Sequence, residues 1–165
     1  MTELFQSSPY KIIENAYPGE FKQEDFEYFN KDAKLGLLFQ AYIKLIYEMM
    51  GFKEGEDFLY NKKYKYCRHK VKCFPDFQFI KNNIWIDVKL ANYTIFYHSR
   101  TLRYTEHCNK LIIIYLLGDK DLIVEYPKVE MKSVRTFYQK LRKTEEGRKI
   151  IISLNKIEKE AKTLY

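Results

Sequence analysis

The chain predicts an α/β domain with a central mixed sheet flanked by helices, and three stretches carry that prediction. Between residues 34 and 50, apolar side chains recur at helical spacing. From Pro75 to Lys89 the run PDFQFIKNNIWIDVK alternates in strand fashion on both sides of an Asn pair. Leu111–Leu117 is a short apolar run stopped by Gly118-Asp119, the pattern of a buried strand. No repeat, low-complexity tract or linker interrupts the 165 residues, so one domain is expected, with its core at about 34–127 and a helical part at about 133–163. That length supports a real core. An apolar fraction of 46% with 17% aromatic residues argues against disorder.

Taken in order, residues 1–32 hold a turn at Tyr17-Pro18-Gly19 and a short acidic helix near Glu24–Phe29, ended by Asn30 to Asp32. This acidic stretch is expected to pack away from any polyanion and is assigned no chemistry. The helix Lys34–Met50 turns Leu35, Leu38, Phe39, Tyr42, Ile43, Leu45, Ile46 and Met49 to one side, and Gly51 stops it. Phe58–Tyr66 reads as a strand in which Lys62, Lys63 and Lys65 alternate with tyrosines. That pattern suits phosphate contact with base stacking, and equally a lysine-blunted sheet edge. Asn92 to Tyr97 stays extended, and a short helix from Ser99 sets Arg100 and Arg103 on neighbouring positions, placed to grip a phosphate. A further strand is expected at Leu122–Tyr126, ended by Pro127. From Ser133 the chain reads as helical: Val134, Phe137, Tyr138 and Leu141 form a stripe. Thr144 caps a second helix that carries Glu145 and Glu146 in its first turn and Ile150, Ile151, Leu154, Ile157 and Ala161 on one face. That face can cover the sheet or a second copy, so a homodimer is compatible with it.

The hairpin carries the chemistry. With Asn82-Asn83 as a two-residue turn, Lys81 pairs with Ile84, Ile80 with Trp85, Gln78 with Asp87 and Asp76 with Lys89. Alternation then gathers Asp76, Gln78, Asp87 and Lys89 on one face and leaves Phe77, Phe79, Ile84, Ile86 and Val88 on the other. Two carboxylates beside an ammonium suit Mg²⁺ or Mn²⁺, which take oxygen ligands and retain waters for substrate phosphate to replace. The alternative is a solvated face with one cross-strand ion pair, worth under about 1 kcal/mol.

Pro75-Asp76, ten intervening residues and Asp87-Val88-Lys89 resemble the signature of the PD-(D/E)xK nucleases, the restriction-endonuclease-like superfamily. The resemblance covers roughly Gly36 to Leu117 and implies an α-β-β-β-α-β core. It implies a Mg²⁺- or Mn²⁺-dependent DNA endonuclease of restriction, homing or junction-resolving type. Asp76 and Asp87 would be metal ligands, the Val88 backbone carbonyl a third, and Lys89 the residue that positions or activates the attacking water. Gly36-Leu37-Leu38-Phe39-Gln40 resembles the first helix of that family, where a glutamate commonly joins the metal site; here the position is Gln40. Either glutamine suffices, or another acid substitutes, or the change inactivates. The other readings are a nucleic-acid-binding module of the same fold with an impaired site, and an RNA-processing nuclease.

A net charge of +7 suits a DNA partner, double-stranded or branched, without specifying one. Three cysteines form no disulfide framework, and Cys67, His69 and Cys73 with His107 or Cys108 do not match the spacing of a zinc knuckle. The N-terminus lacks signal-peptide features and no apolar run is long enough for a membrane, so a cytoplasmic protein with no membrane partner is expected.

Overall fold

A computed structural model describes residues 8–60, 75–91, 104–118 and 126–165. The expected lysine-rich strand beyond Tyr60, the arginine-bearing helix and nearly all of the strand at 122–126 lie outside the described residues. So do Lys62, Lys63, Lys65, Arg100, Arg103, Cys67, His69 and Cys73.

The architecture is α/β in one domain. Three helices come first: α1 (Pro9–Ala16), α2 (Gln23–Glu27) and α3 (Lys31–Met49). The sheet follows with β1 (Phe58–Tyr60), β2 (Phe77–Phe79), β3 (Ile84–Ala91), β4 (Lys110–Leu117) and β5 (Val129–Ser133). A 3₁₀ turn at Tyr104–Glu106 precedes β4. Another at Val134–Phe137 leads into α4 (Tyr138–Leu141) and α5 (Glu145–Lys162). Spatial order follows chain order, with β1, β2 and β3 antiparallel and β3, β4 and β5 parallel. The sheet is therefore mixed, as expected. Among the described residues no helix is long and apolar enough to cross a membrane.

Helix α3 begins earlier than its apolar pattern suggests, because the Asn30 side chain accepts from the Ala33 amide and caps it. It is also buried on more than one side. Leu37, Gln40, Ala41, Lys44 and Tyr47 are buried along with the expected stripe, since α1, β3 and α5 all pack against it. The core face of the sheet presents Phe77, Ile86, Val88, Leu90, Ile114 and Leu116 to α3 and α5. On the opposite face Leu111, Ile113, Tyr115, Val129 and Met131 pack with Tyr104, Cys108 and Trp85.

The hairpin register differs from the expected one. Phe77 pairs with Ile86, Gln78 with Trp85 and Phe79 with Ile84, so the turn spans Ile80 to Asn83. Two interactions explain the longer turn. The Ile80 amide donates to Asp57 O and is thereby used towards β1 (3.0 Å). Asn83, at φ 48°, and Asn82 are held from outside: the Asn109 amide donates to Asn83 O (2.9 Å) and its side chain to Asn82 O (3.0 Å). The slip is two residues, an even number, so the residues of β2 and β3 keep their expected faces.

Ahead of the helical tail lies a strand that the sequence reading did not assign. Val129-Glu130-Met131-Lys132-Ser133 forms β5 alongside β4, with alternating burial. Tyr126, expected at the end of a strand, lies in a bend before it. Pro127 and Lys128 (φ 66°) turn the chain into this strand, so Pro127 marks the approach to β5. Thr144 caps α5 as expected, accepting from the Gly147 amide at 3.0 Å.

Candidate active site

Asp76 precedes β2, directly after Pro75, and its Oδ2 accepts the Val88 amide N–H at 2.6 Å. This bond extends the β2–β3 ladder with a side chain where the backbone pairing stops. The backbone pairing ends at Phe77 with Ile86, so Asp76 and Pro75 lie just beyond it. Asp76 reaches β3 through its side chain at Val88, where the two-residue turn had placed it against Lys89. Gln78 faces Trp85 in place of Asp87. Both carboxylates are almost fully buried, at 2% and 1% exposure.

In an antiparallel ladder a residue's N–H and C=O point to the same edge. The Val88 carbonyl thus faces the edge where Asp76 takes its N–H, and Pro75, just beyond the pairing, has no N–H to give it. Asp87 stands on the other sheet face between Trp85 and Lys89, beside Ile113 of β4. The Lys89 ammonium reaches back to Asp87 Oδ2 at 3.0 Å and remains partly exposed. Burial makes two neighbouring carboxylates expensive to ionise unless cations or donors compensate them. The Val88 amide and Lys89 supply part of that compensation.

Gln40 is buried, and its Oε1 accepts from the Tyr17 hydroxyl at 3.1 Å. Burial, then the charges of Asp76, Glu20 and Tyr60, push the Tyr17 phenol well above its ordinary value, so it stays a donor. Tyr17, with Tyr60 beside it, therefore surrounds Gln40. Tyr17 and Glu20 come from the turn after α1, a segment to which sequence reasoning assigned no chemistry. Tyr60 ends β1, with its ring 5.1 Å from that of Tyr17. The signal present in the sequence was the turn Tyr17-Pro18-Gly19, which returns the chain beside α3.

One turn along α3 from Gln40, Lys44 is buried. Its ammonium donates to Ala16 O (2.9 Å), pairs with Glu54 (2.9 Å) and lies 4.2 Å from the centre of the Tyr60 ring. These bonds lock α1, α3 and β1 together. Glu48, expected to face solvent, is exposed.

In donor type the residues present fit a hard, oxygen-seeking cation: two carboxylates and a backbone carbonyl. Among the described residues no group of three His, Cys, Asp or Glu side chains is placed to hold a metal. A Mg²⁺-type site with few protein ligands needs no such trio. A zinc site gains no support from the two described members of that set. Cys108 is buried, which raises its thiol pKa, and His107 stacks on Trp85 at 6.0 Å.

Comparison of the chain with protein-family models, curated proteins and solved structures finds no match.

Proposed function

We propose that the protein is a metal-dependent phosphodiester hydrolase acting on DNA, built on a restriction-endonuclease-like arrangement. One observation carries the reading. Two acids are buried at the β2–β3 pair, one just ahead of β2 holding the Val88 amide and the other within β3 beside the Lys89 ammonium. A purely structural hairpin gains little from burying two acids.

Asp76 and Asp87, with the Val88 carbonyl, are the residues that would hold Mg²⁺ or Mn²⁺. A divalent cation there supplies Lewis acidity towards a phosphoryl oxygen and lowers the pKa of a water. Among the described residues Lys89 is the cation beside Asp87, and its partial exposure lets the ammonium turn from Asp87 towards an incoming phosphate or water. The Val88 amide holds Asp76 in one rotamer, which limits the reorganisation needed when charge develops. Gln40 adds no charge, and its carbonyl already receives the Tyr17 proton.

The test is cleavage of supercoiled plasmid and of a branched DNA junction, in Mg²⁺ or Mn²⁺ against EDTA. It is run on this chain, on Asp87→Ala and on Gln40→Glu. Cutting that disappears in EDTA and in Asp87→Ala is the expected result, with a loss of about a thousandfold or more for the variant. The Tyr17–Gln40 bond favours a second reading, a nucleic-acid-binding module with an impaired site. That reading expects salt-sensitive DNA binding by all three chains and cutting by none. RNA in place of DNA as the preferred competitor would redirect either reading.

A further inference from the structure

The helix-facing side of the sheet is not covered everywhere. Between the C-terminal end of α3 and the 3₁₀ turn that leads into α4 lies a groove of about 410 Å³. Its floor is Ile84 and Ile86 of β3 with Ile112 and Ile114 of β4. One end is aromatic. Phe79 of β2 and Phe52 pack edge-on to each other at 5.1 Å and to Tyr47 at 4.9 and 6.2 Å, with Met50 beside them. Phe137, 5.9 Å from Tyr47, closes the helical side. Rings locked together in this way form a wall that exists before any ligand arrives. The other end is charged, lined by Lys132 of β5 and Lys140 of α4. Lys132 shares Glu130 with Lys110, at 3.6 and 2.7 Å, and among the described residues Lys140 forms no ion pair. One carboxylate therefore answers two ammoniums, and this end keeps surplus positive charge.

Phe52, Phe79, Phe137, Ile84 and Ile112 are only half-buried, so the groove holds continuous apolar surface in a concavity. Water over such a floor finds few polar partners, and its displacement by an apolar chain is favourable. The volume suits one small molecule. From β2 to β5 the groove crosses three strand spacings, about 14 Å, which an extended medium-length hydrocarbon chain spans. We propose that this groove binds a medium-chain carboxylate, its chain along the isoleucine floor and its head group between Lys132 and Lys140. A lysine lays its methylenes on apolar surface and keeps its ammonium in water, where a carboxylate at the groove's end meets it. The site is separate from the hydrolase reading, since Asp87 and Lys89 stand on the opposite face of the sheet.

The experiment is isothermal titration calorimetry of the full chain with decanoate, with decanol as the neutral homologue and inorganic phosphate as a head group without a chain. One decanoate per chain is expected, bound about tenfold more tightly than decanol, with phosphate weaker still. Lys132→Gln and Lys140→Gln, which keep the fold by altering only partly exposed or exposed positions, should each weaken decanoate severalfold and leave decanol unchanged. Met50→Trp, at a residue 36% exposed, fills the groove and should weaken both. Absence of decanoate binding up to millimolar concentration overturns the proposal, as does binding indifferent to all three substitutions. Equal affinity for decanoate and decanol, or for decanoate and phosphate, overturns the ligand class. A wild-type chain that sediments as a dimer and becomes a monomer in Met50→Trp would assign the groove to a second copy, and the proposal falls.

Discussion

Asp76 and Asp87 are where residue chemistry and fold stability meet. Each is nearly inaccessible to solvent, and strong compensating contacts reach them from the Val88 amide and the Lys89 ammonium respectively. A cation that binds the folded state alone stabilises it by mass action, about 2.7 kcal/mol at a hundred times its dissociation constant. Millimolar Mg²⁺ is accordingly expected to raise the thermal midpoint of the wild-type chain and to leave Asp76→Asn and Asp87→Asn unmoved. Scanning calorimetry with and without metal checks this, and a wild-type midpoint indifferent to Mg²⁺ and Mn²⁺ counts against the site. Asn retains an oxygen for the Val88 amide, so Asp76→Asn separates loss of charge from loss of the ladder bond.

The tyrosines give the residue scale a pH signature. Burial raises Tyr17 and Tyr47 above their ordinary value, and burial with Glu54, Glu20 and Glu48 nearby pushes Tyr60 up to about 12. An unfolded tyrosine releases its proton near pH 10, while these folded ones retain theirs to higher pH. Their contribution is complete below about pH 10 and is lost as pH climbs from there through the folded values. Denaturant midpoints should hold up to about pH 10 from this source and fall steeply beyond it. Removal of the Tyr17 hydroxyl in Tyr17→Phe should flatten the fall. A midpoint that declines equally in both chains would show that Tyr17 takes no part.

At the scale of elements, the C-terminal helices are set by one close approach. A Cβ at Gly147 in α5 would run into the backbone carbonyl of Leu141, the last residue of α4. Backbone cannot yield as a flexible side chain can. Gly147→Ala is therefore expected to destabilise by about 1–3 kcal/mol through overpacking, outweighing the ~1 kcal/mol that alanine gains in helix propensity. Thr144→Ala, which deletes the cap on the same helix end, should cost about 1 kcal/mol. Urea unfolding of both variants decides the order, and a stabilised Gly147→Ala chain would refute the close approach. The Arg135–Glu158 pair, in which one guanidinium nitrogen donates to both carboxylate oxygens at 3.0 and 3.2 Å, ties the 3₁₀ turn after β5 to α5. The last helix is thereby anchored to the sheet as well as to α3.

For the whole molecule, charge is the relevant quantity. With +7 net, binding to duplex DNA in EDTA should weaken linearly in log–log form as salt rises, with a slope near −0.9 per phosphate neutralised. Fluorescence anisotropy at 50–300 mM salt checks this, and a flat profile would remove nucleic acid as the partner. Asp87→Ala should leave the slope unchanged, because Asp87 is buried and makes no phosphate contact of its own.

What the sequence by itself determined is local and periodic. Alternation in Pro75–Lys89 put Asp87 and Lys89 on a common face, and that pairing survived an error in register because the slip was even. Apolar spacing located α3, β4 and α5, and Thr144 announced its own cap. Alternation in Val129–Ser133 was equally legible but was overshadowed by the helical stripe that follows it. Only the tertiary structure decided which partners come from afar. The turn length was settled by Asn109 and Asp57, the burial of Gln40 and Lys44 by α1, and the meeting of Tyr17 with Gln40 by a reversal at Gly19. Period and propensity act over a few residues, whereas a hydrogen bond between Tyr17 and Gln40 spans 23 positions and exists only once α1 has packed on α3.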